Sequence, residues 1–181
     1  YGTLAQAVER LALAFGMECI VSESSQLGIK RSTRARVPFS ELVQTADVIS
    51  LHCPLTPANH NLFNAKLFTQ MKPTSLLINT ARGALVDLDD LLQALDQQTL
   101  AGAALDVFPQ EPMPAEHPVL QPRQNLIVTP HIAWSSLQAR QRLVDQLCAN
   151  LQAWFDGNPQ NQIGLAEPNS TNSRAKTTGS H

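Results

Sequence analysis

Three residues of the chain close short, chemically marked stretches: Arg82 in "LLINTARG", Glu111 in "ALDVFPQEP" and His131 in "LIVTPHIAW". Alone, each reads as an ordinary loop residue: a surface cation, a solvated acid, a histidine at a helix start. Together they make a set. An Arg fork grips a carboxylate bidentately and fixes its orientation. A histidine gives and takes protons near neutral pH, and a carboxylate beside it favours the imidazolium. That combination suits the reduction of a 2-oxo acid, with hydride supplied by a nicotinamide, and the reverse oxidation. No metal is implied by it.

A second feature lies at the start of the chain. "YGTLAQA" has the form of the last half of a G-x-G-x-x-G/A turn, with Gly2 as the second glycine and Ala5 as the third small residue. Such a turn aims backbone N–H groups and a helix N-terminus at a pyrophosphate. By itself the half-motif equally describes a small residue before an amphipathic helix. Glu23, 21 residues after Gly2, stands where an acid binds the adenosine ribose hydroxyls, which favours NAD over NADP because the acid repels a 2′-phosphate. Arg31, Arg34 and Arg36 nearby temper that preference.

Elements must position these residues. Leu4, Ala7, Val8, Leu11 and Phe15 recur at helical spacing, with Gly16 as the stop. Apolar runs near 19–22, 48–51, 75–79, 101–106 and 125–128 read as strands covered on both faces. Between them fall helices over "SELVQTA" with Ser40 as cap, "NAKLFTQM", and "VDLDDLLQALDQQTL" with Asp87 as cap and Asp90 completing a capping box. A long helix covers Ser135 to Phe155. Strand and helix alternate, so the expectation is an α/β fold, a doubly wound parallel sheet of the Rossmann type. In the order 3-2-1-4-5-6 the five runs take places two to six, and the first, central strand is lacking from the chain. A fragment without that strand is expected to fold poorly and to be inactive alone. The loops after strands four, five and six are neighbours, so Arg82, Glu111 and His131 should converge.

With 181 residues, 43% hydrophobic and 15% charged, at net charge −2, the chain has the composition of one globular domain with no nucleic-acid signature. No apolar run is long enough to span a bilayer. Cys19, Cys53 and Cys148 are odd in number and far apart, which points to free thiols in a reducing compartment. The expectation is a soluble, cytoplasmic protein, with a dinucleotide-binding domain over 1–163. The tail from 164 to 181 is too polar to order itself or is unrelated to the domain.

"GTLAQAVERLALAFGM", "ADVISLHCPLTP", "LINTARGALVD", "AGAALDVFPQEP" and "NLIVTPHIAWSS", in this order, make the chain resemble the D-isomer-specific 2-hydroxyacid dehydrogenases over residues 1 to about 163. The resemblance implies that Arg82 binds the substrate carboxylate, that Glu111 pairs with His131, and that His131 is the acid/base. It implies cofactor contacts at Thr3 and Leu4 in the phosphate turn, at Glu23, at Cys53 and Pro54 beside the adenine, and at Asn59. It adds the Thr80-Ala81-Arg82 run, and Asp106 towards the nicotinamide. "HIAWSS", with Trp134 three residues after the histidine, is most similar to the glycerate dehydrogenase/hydroxypyruvate reductase group, which implies a small hydroxylated substrate. The family implies NAD as cofactor and a homodimer. A separate substrate domain that family members carry before this one is not found in the sequence. A non-catalytic NAD(H)-sensing or dimerisation module on the same fold is the alternative. Neither a nucleic acid nor a membrane is expected as a partner.

Overall fold

Four short apolar runs pair side by side: β1 (Val48–Leu51), β2 (Leu76–Asn79), β3 (Gly102–Leu105) and β4 (Leu126–Val128) form one parallel sheet in the order β1-β2-β3-β4. The computed structural model describes residues 1–23 and 35–163. The register sets Asn79 opposite Leu51 on one side and Leu105 on the other. The α/β class and the parallel sheet expected from the sequence are thereby borne out.

Helices connect the strands. α1 (Thr3–Ala14) begins after Gly2 and is followed by Phe15 and then Gly16, whose φ of 76° favours glycine. α2 (Phe39–Thr45) leads into β1, and α3 (Ala65–Phe68) into β2. α4 (Leu88–Asp96) joins β2 to β3 and buries Leu88, Leu91, Leu92 and Leu95 along one face. The core brings these leucines together with Phe63, Phe68, Leu77, Leu85 and Leu105. Asp87 caps α4 by accepting from the Asp90 amide. Asp90 does not complete the expected box: its carboxylate accepts from the Ala65 amide and joins α4 to α3 instead. Ser40 lies inside α2, whose N-cap is Pro38, so it does not serve as the expected cap. The unit formed by residues 135–163 carries α5 (Leu137–Phe155), capped by the Ser136 hydroxyl and followed by Gly157 at φ 72°.

Strand order corrects the sequence reading in one respect. The 48–51 run, expected third, pairs directly with β2, which gives it the fourth place in a doubly wound count. The third place falls to Val37, which bridges Ser22 in parallel. The Glu23 amide donates to the Val37 carbonyl at 2.8 Å, and the Val37 amide to Val21 at 2.9 Å. Among the described residues the 19–22 run forms this one bridge, where Val37 supplies a single partner residue rather than a continuous neighbour to ladder with. The strands are also not apolar-covered on both faces throughout: Ile127 on the edge strand β4 is 66% exposed. The apolar stripe of α1 is exposed too, and that helix fully buries none of its residues. Arg31, Arg34 and the 164–181 tail lie outside the described residues. No helix among the described residues is long and apolar enough to cross a membrane.

Candidate active site

All four strands run parallel, so their carboxyl ends share one edge of the sheet, and the loops leaving β2, β3 and β4 carry Arg82, Glu111 and His131. Those three residues line one cleft of about 360 Å³, with Gly83, Val107, Phe108 and Pro109. Gly83 allows the approach. A Cβ there would sit 1.9 Å from the Phe108 carbonyl carbon, so only glycine lets the loop after β2 lie against the loop after β3.

Glu111 is held at both oxygens. Oε1 accepts from the Phe108 amide at 2.9 Å, and Oε2 lies 2.8 Å from Nδ1 of His131. The hydrogen bond from His131, and after it the one from Phe108, hold the Glu111 carboxyl below its ordinary value. An ionised carboxylate only accepts, so Nδ1 carries the hydrogen and Nε2 is the nitrogen left for other partners. The His131 side chain remains half exposed. Its backbone is left-handed, at φ 55°, an uncommon state for a residue with a side chain.

The turn around His131 is braced from below. Asp106, 4% exposed at the end of β3, accepts from the Thr129 hydroxyl at 2.5 Å and from the Ile132 and Ala133 amides at 2.9 Å each. Burial alone would push its carboxyl up. The Thr129 hydroxyl and the Ala133 and Ile132 amides reverse this and hold it below its ordinary value. From the other side, the Trp134 indole N–H donates to the His131 carbonyl at 2.9 Å. Thr129 carries no obvious sequence signal beyond its place before Pro-His.

Arg82 is exposed on the cleft, and its Nη1 donates to the Ala81 carbonyl at 2.6 Å. A smaller, apolar cavity of about 170 Å³ is lined by Thr80, Asp106, Thr129, Ile132 and Ala133 together with β3 and β4 residues. Thr80 and Asp106, two expected cofactor contacts, therefore share a cavity. Gly2, Thr3 and Leu4 form the exposed start of α1, where Gly2 provides no side-chain cap and a Cβ would meet nothing within 4 Å. Glu23 is exposed beside the Ser22–Val37 bridge. Cys53 and Pro54 are exposed in the loop leaving β1. The side chain of Asn59 is turned onto that same loop: Nδ2 donates to the Pro54 carbonyl at 2.8 Å and Oδ1 accepts from the Thr56 amide at 2.7 Å. Glu23, Cys53, Pro54, Asn59 and the start of α1 line neither cavity. Among the described residues no group of three His, Cys, Asp or Glu side chains could hold a metal ion.

Residues 1–133 match the family model described as D-isomer specific 2-hydroxyacid dehydrogenase, NAD binding domain. A glycerate dehydrogenase of Methylorubrum extorquens is 42% identical over 166 residues, which are 90% of this chain and 50% of that protein. A hydroxypyruvate reductase of Blautia hydrogenotrophica is 35% identical, over 90% of this chain and 51% of that one. Among solved structures, a D-isomer specific 2-hydroxyacid dehydrogenase of Lactobacillus delbrueckii ssp. bulgaricus in its NAD-complexed form superposes with a TM-score of 0.77 at 26% identity. The match covers 90% of this chain and 53% of that one. The chain thus spans about half the length of the relatives it matches.

Proposed function

Because the chain belongs to the D-isomer-specific 2-hydroxyacid dehydrogenase family through its NAD-binding domain, we propose that the protein interconverts a small D-2-hydroxy acid and its 2-oxo acid with NAD as cofactor. Hydroxypyruvate and glyoxylate are the oxo acids proposed. The observation that carries this reading is the convergence of Arg82, Glu111 and His131 on one cleft, with Nδ1 of His131 paired to Glu111 at 2.8 Å.

The residues present fit a dinucleotide. The α1 N-terminus has no side-chain cap and no side chain at Gly2 to keep a phosphate away, while the apolar cavity under Thr80 and Asp106 suits a flat ring. Gly2, Thr3 and Leu4 would hold the pyrophosphate, Glu23 the adenosine ribose, and the loop of Cys53 and Pro54, clasped by Asn59, the adenine. Thr80, Ala81 and Asp106 would flank the nicotinamide. When bound, the reduced cofactor supplies hydride to the substrate's carbonyl carbon.

The chain's own groups do the rest. Arg82 binds the substrate carboxylate through its fork and turns the oxo group towards His131. His131 gives its Nε2 proton to the oxygen that becomes the hydroxyl, and takes it back in the reverse direction. Glu111 keeps Nδ1 protonated and steadies the charge on the ring. A homodimer in the cytoplasm is the setting proposed for this chemistry. NADH oxidation by the purified full-length gene product, measured with a panel of 2-oxo acids, tests the reading. Turnover fastest with hydroxypyruvate or glyoxylate is the expected result. NADH binding without turnover of any member would overturn it in favour of a sensing module.

A further inference from the structure

Asn79 is the polar end of an otherwise aliphatic strand, "LLIN", and it is 0% exposed. A carboxamide buried there is destabilising unless both its ends are paired. Both are. Oδ1 accepts from the Ala81 amide at 3.0 Å, and Nδ2 donates to the Arg82 carbonyl at 2.9 Å. The amide orientation follows from the partners, since an N–H must meet the oxygen and a carbonyl must meet the NH₂. One side chain therefore clasps the Thr80–Ala81 and Arg82–Gly83 peptide units, which flank the Ala81-Arg82 pair. The main-chain carbonyl of Asn79 accepts from the Asp106 amide at 3.0 Å, which ties the clasp to the end of β3.

We propose that Asn79 is a positioning residue for the substrate carboxylate: it sets the backbone at Arg82, so that the guanidinium stands in the cleft opposite His131. This rests on the proposed role of Arg82. Arg82 itself is exposed and long, and its guanidinium donates to the adjacent Ala81 carbonyl, a neighbour on the same turn. A flexible fork of this kind gains its direction from the backbone that carries it, and Asn79, from outside the cleft, fixes that backbone. Three sequence positions separate Asn79 from Arg82, so a motif reading of "NTARG" gives the two residues no relation.

The test is a double-mutant cycle in the full-length gene product. Asn79→Leu keeps the volume and removes both polar ends. Asn79→Ser, smaller and able to pair with water, serves where the leucine variant does not fold. Each is made alone and with Arg82→Ala. The readouts are KM for the best 2-oxo acid, Kd of oxamate as a non-reacting carboxylate in the presence of NADH, and Kd of NADH alone. Because misplacing a binding group by about 1 Å costs up to about a hundredfold, the Asn79 variants should raise KM and the oxamate Kd by about tenfold or more. NADH affinity should hold within about threefold, and in the Arg82→Ala background the same changes should move oxamate binding less than about twofold. An equal loss in both backgrounds, or a parallel loss of NADH affinity, overturns the proposal and leaves Asn79 as a fold residue. If the native protein turns over 2-oxo acids and the Asn79 variants bind oxamate normally, this inference alone fails. If the native protein neither turns over a 2-oxo acid nor binds oxamate, the functional reading fails and this inference with it.

Discussion

Oε2 of Glu111 sits 2.8 Å from Nδ1 of His131, while its other oxygen is held by the Phe108 amide, so the carboxylate cannot turn away from the imidazole. Glu111→Gln keeps the shape and the Phe108 contact through its carbonyl oxygen. It then presents an NH₂ group to Nδ1, which reverses the hydrogen-bond direction and with it the tautomer. General acid–base catalysis contributes about 10²–10⁴-fold, so kcat for the 2-oxo acid should fall by about a hundredfold or more, with NADH affinity little changed. Steady-state rates beside a fluorescence titration of NADH check this. A variant within about threefold of the native kcat would show that the pairing is structural.

Gly83 joins the two loops that carry Arg82 and Glu111. A methyl at this position would lie 1.9 Å from the Phe108 carbonyl carbon and 2.3 Å from its oxygen, both backbone atoms that cannot swing aside. Gly83→Ala must therefore separate the loops, at a cost of about 1–3 kcal/mol for overpacking. Turnover should drop more than stability does, since the Phe108 amide that holds Glu111 moves with the loop. The urea midpoint and kcat/KM of the alanine variant are the measurements, and native turnover at a normal midpoint would contradict the close approach.

Much of this site could be read in the sequence because parallel strands place every following loop on one edge. Arg82, Glu111 and His131 each close an apolar run of the kind that makes a buried strand, and convergence follows from strand adjacency alone. The helix stops at Gly16 and the cap at Asp87 were legible for the same local reasons. What escaped was non-local. Val37 makes a single bridge to Ser22, too short for periodicity to register, so the sequence pattern places the 48–51 run one position early. Asn79 looks like any strand end until its burial is known, and the clamp of Asp106 on residues 129–133 joins groups 23 to 27 positions apart. The sequence gives no sign that the Asn59 amide closes the Pro54–Thr56 loop. That choice depends on a rotamer rather than on residue type.

His131 combines an acid/base side chain with a left-handed backbone at φ 55°. The replacement that tests the side chain must tolerate that backbone, and asparagine does so better than β-branched residues. His131→Asn should lower kcat by about 10²–10⁴-fold while the thermal midpoint stays close to native. His131→Val should lose both, because a branched side chain strains the turn by about 1–3 kcal/mol. Paired melting curves and rates separate the two effects, and equal stability of the two variants would remove the backbone argument.

Asp106 gives the pH dependence. Its buried carboxylate accepts three hydrogen bonds from the Thr129 hydroxyl and the Ile132 and Ala133 amides, and its folded pKa is depressed although burial opposes this. A depressed carboxylate stabilises the fold above its unfolded pKa, about 3.9, and that contribution is lost as pH falls through the lower folded value. Asp106→Asn has no such ionisation, and one of its two side-chain ends must point an NH₂ at a backbone N–H. At about pH 7 the variant should be less stable by about 2 kcal/mol, the worth of a hydrogen bond to a charged group. As the pH is lowered below about 4 the native protein should lose stability faster than the variant, so that the gap between them narrows. Urea unfolding of both proteins across that range is the measurement. A gap that stays constant with pH would mean that the Asp106 carboxylate is not the ionised acceptor that holds the His131 turn.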